Sequence, residues 1–238
     1  MDKNKSGIWV TGASSGIGKA AAKEFARVGC NVFVSARRQT ELERLKKELE
    51  EEKLLLNTFP CNVASSANVE QTVKKITAEN DIHCLINNAG ITSFKTAETN
   101  SVQEITDIIN TNLLGSIYAI KALLPVFIKQ GRGTIINVLS VVTQKVFTKS
   151  SAYAASKMGL LGYSQALREE VRKYNIRVIN IIPGATVTPI WSSDVREKYG
   201  DRMMTPENIA QLMVSAYLHP ENVVLEEIVI KPIQGDLA

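Results

Sequence analysis

The segment TGASSGIG, residues 11–18, decides the fold of this chain, because it separates the apolar run GIWV from the helix-forming run KAAAKEFARVG. Its three glycines would permit a tight turn, close approach of the backbone to a phosphate, and close packing of the helix on the strand. The unpaired N–H groups of the first helical turn would face a pyrophosphate. The sequence therefore predicts a dinucleotide site, spaced G-x-x-x-G-x-G, at Gly12, Ser14, Ser15, Gly16, Ile17 and Gly18.

Outward from this turn, short β-branched runs alternate with amphipathic helical stretches along the whole chain. This alternation is typical of an α/β fold, a parallel sheet covered by helices on both faces, and no linker divides the chain. We therefore expect one domain over residues 1–238. The predicted strands are Ile8–Thr11, Val32–Ser35, Leu54–Phe59, Leu85–Asn88, Thr134–Leu139, Arg177–Ile182 and Glu227–Ile230. The predicted helices are 16–28, 40–52, 66–79, 101–129, 151–174 and 206–218.

Composition excludes several classes of protein. Of 238 residues 45% are apolar and 22% charged, and the net charge of +4 comes from 28 basic and 24 acidic residues. The charges are interspersed, which is untypical of a nucleic-acid binder. A membrane span needs about 18 consecutive apolar residues, and no stretch of the sequence comes close. The N-terminus, MDKNKSGIWV, leaves no room for a signal peptide. We expect a cytoplasmic protein without nucleic-acid or membrane partners.

The cysteines predict neither a metal site nor disulfides. Cys30, Cys61 and Cys84 lie far apart, and no CxxC spacing occurs. The adjacent His83 and Cys84 would point to opposite faces of a strand. We therefore expect core thiols and no metal ion.

The choice of nucleotide is predicted from the end of the second strand. NAD sites usually place an acidic residue there, but residues 29–40 contain none and offer Arg37 and Arg38 instead, with the Ser14 hydroxyl nearby. A guanidinium can pair bidentately with a phosphate. The segment therefore predicts NADP(H), with NADPH bound more tightly than NADH; a surface basic pair at a helix entrance is the alternative.

Tyr153 and Lys157 form a candidate catalytic pair on a predicted helix. Residues i and i+4 share a helix face, and a nearby ammonium would lower the pKa of the phenol towards neutrality. Ser140 ends the apolar strand TIINVL, where its hydroxyl could bind a substrate carbonyl. A packed tyrosine beside a surface lysine would give the same spacing.

Taken together, these motifs resemble those of the short-chain dehydrogenase/reductase family over almost the whole chain. The resemblance is carried by TGASSGIG, Asn87-Asn88-Ala89-Gly90, Asn112-Leu113-Leu114-Gly115, Ser140, Tyr153-x-x-x-Lys157 and Pro183-Gly184. It implies a single-domain, Rossmann-type, doubly wound sheet of about seven strands, and hydride transfer between a nicotinamide and a carbonyl or alcohol carbon.

Roles for individual residues follow from the resemblance. Tyr153 would be the general acid or base, Lys157 would lower its pKa and hold the nicotinamide ribose, and Ser140 would polarise the carbonyl. Asn112 would hold a water in a proton relay. Cofactor contacts would come from Asn88, Ala89, Gly90, Pro183, Gly184 and Thr188. After the third strand the family usually has Asp-Val, whereas this chain has Asn62-Val63; the Asn carbonyl can still accept a bond from adenine.

The substrate is less well predicted. A lid near residues 190–205 carries Trp191, Tyr199, Met203 and Met204, and further walls could come from Phe94, Val142, Gln144 and Phe147, although ordinary packing explains each equally well. The chain lacks a C-terminal Gly-Gly turn, so its ending resembles NADP-dependent 3-hydroxy acid (serine-type) dehydrogenases and sepiapterin reductase-like enzymes.

These features favour a carbonyl reductase or 3-hydroxy acid dehydrogenase acting on a small substrate. A 3-oxoacyl-carrier-protein reductase is the second candidate, and a non-catalytic sensor or scaffold the third. Long apolar helices near 101–129 and 151–174 favour a homodimer or homotetramer, although burial within one subunit gives the same pattern.

Overall fold

Seven parallel strands form one sheet, in the order β3-β2-β1-β4-β5-β6-β7. The computed structural model describes residues 6–237; residues 1–5, on which the expectation about a signal peptide partly rests, and residue 238 lie outside the described residues. The strands are β1 (Gly7–Thr11), β2 (Asn31–Ser35), β3 (Leu56–Thr58), β4 (Ile82–Asn87), β5 (Gly133–Val138), β6 (Ile176–Pro183) and β7 (Glu227–Ile230).

Eight α-helices connect these strands. They are α1 (Gly16–Arg27), α2 (Gln39–Glu51), α3 (Ser66–Thr77), α4 (Val102–Ile109), α5 (Gly115–Gln130), α6 (Ser151–Val171), α7 (Ser193–Tyr199) and α8 (Pro206–Leu218). The predicted doubly wound α/β fold is confirmed. Two local elements were not predicted: a π-helical turn, Asn110–Leu114, joins α4 to α5, and the lid contains helix α7.

Alternate strand residues supply two apolar layers, one on each side of the sheet. Val10 and Val34 pack with α1, α2 and α8, whereas Trp9, Phe33 and Leu85 pack with α3, α5 and α6. Both faces are covered, which explains why these strands are almost wholly apolar. The chain order reverses between β1 and β4, and in such sheets ligands bind at this point, beyond the carboxyl ends of the strands.

The helical run from Val102 to Gln130 corrects one expectation. Its most apolar window has a mean hydropathy of 1.5, so by length and composition alone it could cross a membrane. Scanning for uninterrupted apolar residues overlooks it, because small and polar residues are interspersed along the run. In this structure α5 packs on α3, β4 and β5, and 39% of that window is buried. Packing on the sheet therefore accounts for part of its apolar character.

A row of asparagines crosses the centre of the sheet. The Asn87 side chain donates to Asn137 Oδ1 (3.0 Å), the Asn137 side chain to Asn180 Oδ1 (3.1 Å), and the Asn180 side chain to Ser164 Oγ on α6 (2.9 Å). All three amides are buried, and Asn87 Oδ1 has no hydrogen-bond partner in the described part of the chain. The row ties three neighbouring strands to the helix that carries Tyr153 and Lys157.

Candidate active site

The glycine-rich turn between β1 and α1 is packed so closely that side chains would not fit. Gly12 has φ +67°, and a Cβ there would lie 2.6 Å from Ala89 Cα. A Cβ on Gly18 would collide with Asn88 Nδ2 and lie 2.5 Å from the Gly12 carbonyl oxygen. Gly16, with φ +55°, lies against Thr188. Glycine is therefore required for both conformation and space.

Thr11 and Asn88 fasten this turn to the end of β4. Thr11 Oγ1 accepts bonds from the backbone N–H groups of Asn88 (3.1 Å) and Ala89 (3.3 Å). The Asn88 amide donates to the carbonyl oxygens of Thr11 (3.0 Å) and Gly12 (3.1 Å). Asn88 thus holds the turn in shape. The sequence predicts no role for Thr11, although its position at the end of the strand, directly before the glycine, is a usable signal.

The start of α1 fits a pyrophosphate. The Ser15 side chain makes no capping hydrogen bond, and the first turn contains no acidic residue. The N–H groups there are free to bind an anion, and no carboxylate repels it. Ser14 Oγ accepts a bond from Arg38 Nη2 (3.0 Å), and Arg37 is exposed beside it. The predicted basic pair therefore lies at the edge of the glycine turn.

Asn62 and Val63 follow β3 and differ in exposure. Asn62 is exposed, and its side-chain oxygen accepts a bond from the Ala64 N–H (3.2 Å). That oxygen can accept a second bond. Val63 is buried and packs on Gly115, where a Cβ would lie 2.9 Å from its Cγ2. Val63 thus brings the Asn62 segment close to the start of α5.

Ser140 and Tyr153 meet at the carboxyl edge of β5. Their side chains share a hydrogen bond, and Ser140 Oγ also accepts from the Val142 N–H (3.4 Å). Burial raises the pKa of Tyr153 to about 12, and the bond to Ser140 opposes that rise. Tyr153 therefore holds its proton at neutral pH and is set up as a donor.

Lys157 lies behind this pair and is bound to backbone. Its side chain is buried, and Nζ donates to the Val138 carbonyl oxygen (2.7 Å). Nζ lies 5.8 Å from the centre of the Tyr153 ring. Burial lowers the pKa of Lys157 to about 8. The expected lowering of the Tyr153 pKa by Lys157 is not present in this structure, because the ammonium faces Val138 and burial dominates at the phenol.

Asn112 lies in the π-helical turn, fully buried. Its Oδ1 accepts from the Ile91 N–H (2.8 Å), and its Nδ2 donates to the Ile91 carbonyl oxygen (2.9 Å) and to Ser156 Oγ (3.0 Å). The amide thus joins the loop after Gly90 to α6, one residue before Lys157. The space beside Gly90 lies next to both groups, since a Cβ there would be 3.5 Å from Asn112 Oδ1 and 3.7 Å from Lys157 Nζ.

The turn after β6 leads into the lid. Gly184 donates its N–H to the Ile230 carbonyl oxygen (2.8 Å), which fixes the Pro183-Gly184 turn to β7. Thr188 then contacts Gly16 of the glycine turn. The lid thus begins at the predicted cofactor site and returns to the sheet at Met204, whose backbone pairs with Ala185 and Val187.

The predicted walls of the substrate site divide into two groups. Met203 and Met204 are each 8% exposed and are buried packing residues, and Phe147 packs on the cluster of Leu139 and its neighbours. Phe94 and Trp191, by contrast, stack on each other with centroids 4.8 Å apart and an interplanar angle of 13°. Phe94 holds φ +45°, a strained conformation for a bulky residue. This pair joins the loop after β4 to the lid.

Two further positioning groups lacked a sequence signal. The Val138 carbonyl holds Lys157, and the Ser156 hydroxyl holds Asn112. The position of a backbone carbonyl cannot be recognised from the residue type. Ser156 is one of several serines on α6, and nothing in the sequence distinguishes it from the others.

Comparisons with known proteins agree with this architecture. The profile of short chain dehydrogenases matches residues 7–199. A sepiapterin reductase of Chlorobaculum tepidum is 35% identical over 97% of both chains, and an NADP-dependent 3-hydroxy acid dehydrogenase of Schizosaccharomyces pombe is 32% identical over 94% of this chain and 92% of its own. The closed form of a serine dehydrogenase complexed with NADP+ superposes with a TM-score of 0.90 at 27% identity, and the match covers 98% of this chain and 97% of that structure's chain. With its glycine turn, tyrosine, lysine and sheet order, this chain belongs to the short chain dehydrogenase family.

Proposed function

We propose that the protein interconverts a carbonyl and a secondary alcohol on a small substrate, with NADP(H) as cofactor. The observation that carries this proposal is the bond between Ser140 and the protonated Tyr153 at the carboxyl edge of the sheet, with Lys157 buried behind them. The enzyme is an NADP-dependent member of its family. Its substrate and the use of Tyr153 are the proposed parts.

The residues that would hold the cofactor lie along the switch point between β1 and β4. The glycine turn would bind the pyrophosphate. The phosphate on the adenosine ribose would be bound by Ser14, Arg37 and Arg38. Asn62 and Val63 would border adenine, and Thr188 the nicotinamide end. When bound, the nicotinamide supplies or accepts the hydride.

The chain's own residues handle the proton and the carbonyl oxygen. In reduction, Ser140 donates a hydrogen bond to that oxygen while Tyr153 gives it a proton; in oxidation, Tyr153 takes the proton back. Lys157, adjacent to the cleft, holds positive charge near the phenol. Asn112 holds the loop after Gly90 against α6. Protons would reach Lys157 between these two segments.

A small carbonyl compound or 3-hydroxy acid is the substrate class best supported, since two relatives carry the names of sepiapterin reductase and 3-hydroxy acid dehydrogenase. A 3-oxoacyl thioester reductase is the second candidate. Clearly greater activity on acetoacetyl-thioester than on free carbonyls would reverse this order.

We also propose that residues 1–238 act as one domain with a lid near 190–205, and that two or more copies associate. The single sheet supports the first. Exposed apolar side chains on α4 and α6 support the second: Val102 is 81%, Met158 55% and Ile105 37% exposed. A monomeric mass in sedimentation would contradict it. The cytoplasmic location stays a prediction.

The function is tested by following NADPH consumption with small ketones, diketones, 3-oxo acids and acetoacetyl-thioester. Tyr153→Phe should lower turnover at least about 100-fold, because general acid catalysis contributes that much. Its dissociation constant for NADPH should stay close to that of the wild type. A Tyr153→Phe variant with more than about a tenth of the wild-type rate would contradict the assigned role.

A further inference from the structure

The lid helix α7 has one covered face and one exposed face. Val195, Arg196 and Tyr199 are partly buried, whereas Asp194 and Lys198 are exposed. The lid leaves the sheet beside the glycine turn, where Thr188 contacts Gly16, and returns to the same place at Met204, which pairs with Ala185. Between these ends Trp191 stacks on Phe94, so the lid reaches from β6 across to the loop after β4, and the covered face of α7 is the one turned towards the protein.

Arg196 is the cation on that covered face. Its Nε is buried and has no hydrogen-bond partner, and no carboxylate within residues 6–237 makes an ion pair with it. A donor N–H taken out of water without a partner is costly. Such a group is expected to be satisfied when a ligand enters.

Three other cations at the carboxyl edge of the sheet differ from Arg196. Lys231 and Lys145 approach Asp236 at 3.2 and 3.9 Å. Arg202 donates to the side-chain oxygen of Gln234 (3.1 Å). Arg196 therefore stands out as a covered lid cation whose hydrogen-bonding capacity is unused by the described chain.

We propose that Arg196 binds the carboxylate of the substrate and makes the enzyme selective for small 3-oxo and 3-hydroxy acids. The proposal rests on the proposed carbonyl–alcohol function, and it assigns the substrate's charge. A guanidinium forms two parallel bonds with a carboxylate. Closing the lid on an anion would thus pair Arg196 and orient the carbonyl towards Ser140 and Tyr153.

The test compares acetoacetate with methyl acetoacetate, which keeps the reacting ketone and removes the charge. The measured quantity is the ratio of kcat/KM for acid to that for ester. In Arg196→Gln this ratio should fall about 10- to 100-fold, the usual worth of a hydrogen-bonded charge. Arg196→Lys should recover part of it. Lys198→Gln, on the exposed face of the same helix, should leave the ratio as in wild type.

Three results would overturn the proposal. The ratio could be unchanged in Arg196→Gln, or it could fall as far in Lys198→Gln. Alternatively, Arg196→Gln could weaken NADPH binding about tenfold or more, which would place the guanidinium on the cofactor.

A binding measurement separates this proposal from the proposed function. If the protein reduces neither acid nor ester, the function as proposed for small 3-oxo substrates fails. Calorimetry of racemic 3-hydroxybutyrate with the NADP+-loaded protein then decides the role of Arg196. Binding at least about tenfold weaker in Arg196→Gln supports the carboxylate contact, whereas equal binding, or none in the wild type, overturns it.

Discussion

The cofactor side and the lid side of the cleft differ in how firmly side chains hold the backbone in place. At the cofactor side, Thr11 and Asn88 make four hydrogen bonds around the glycine turn, and added Cβ atoms would collide with neighbours. At the lid side, Thr92 Oγ1 and Arg196 Nε are buried without partners among residues 6–237, and Phe94 holds a strained backbone.

The difference teaches how one fold serves a shared cofactor and a particular substrate. A site whose shape is fixed by backbone hydrogen bonds loses little conformational freedom when its ligand binds. A side whose side-chain donors are unused gains those hydrogen bonds only when the right ligand arrives, which gives selectivity. Substitutions on the two sides should therefore fail in different ways.

The largest effect is expected at Gly18. Gly18→Ala pushes Asn88 and the Gly12 carbonyl out of place, and the loss of two hydrogen bonds to the charged pyrophosphate should weaken NADPH binding about 100-fold or more. Gly162→Ala is the matched control, since nothing lies within 4 Å of its Cβ position. Fluorescence titration with NADPH measures both. Wild-type affinity in Gly18→Ala would break the claim that the cofactor side is rigidly built.

A smaller effect is expected at Arg37. Arg37→Asp replaces a phosphate partner by a repelling carboxylate, so the preference for NADPH over NADH should narrow about 10- to 100-fold. Lys129→Asp makes the same charge change near the end of α5, before β5 begins, and should leave the preference intact. Equal dissociation constants for NADPH and NADH in the wild type would contradict the assignment of the basic pair.

The smallest effect is expected at Phe94, on the lid side. Phe94→Gly and Phe94→Ala both remove the stack on Trp191, but only alanine keeps a side chain at φ +45°. Glycine relieves that strain, but it also loses more conformational freedom on folding. The net effect should make the glycine variant more stable than the alanine variant by about 0.5–1 kcal/mol. Urea unfolding compares the two. A more stable alanine variant would mean that the loop stores no strain.

Most of the fold could be predicted from sequence because burial on both faces leaves a clear pattern. All seven strands form where apolar runs predict them, with β3 shortened to Leu56–Thr58 and β4 beginning earlier, at Ile82. The π-helical turn around Asn112 was missed, since its residues are compatible with a regular helix. The lid helix was missed because its seven residues are too few to show a helical periodicity.

The candidate site was predictable where a residue type carries the chemistry. Ser140, Tyr153 and Lys157 come together as expected, and Asn88 lies on the glycine turn. The partner of Lys157 was not predictable, because it is a backbone carbonyl. The direction of the Tyr153 pKa shift was predicted wrongly. Burial depends on all the groups packed around the phenol, whereas the helical spacing reveals only Lys157.

The asparagine row across β4, β5 and β6 also governs strand alignment. Asn137 pairs with Asn87 and Asn180 in the present register. A slip of two residues would set Asn137 opposite Leu85 and strand its amide in an apolar layer, at about 1–3 kcal/mol for each unpaired group. A slip of one would turn it to the other face. The row thus keeps the ends of β4, β5 and β6 aligned beneath the candidate site.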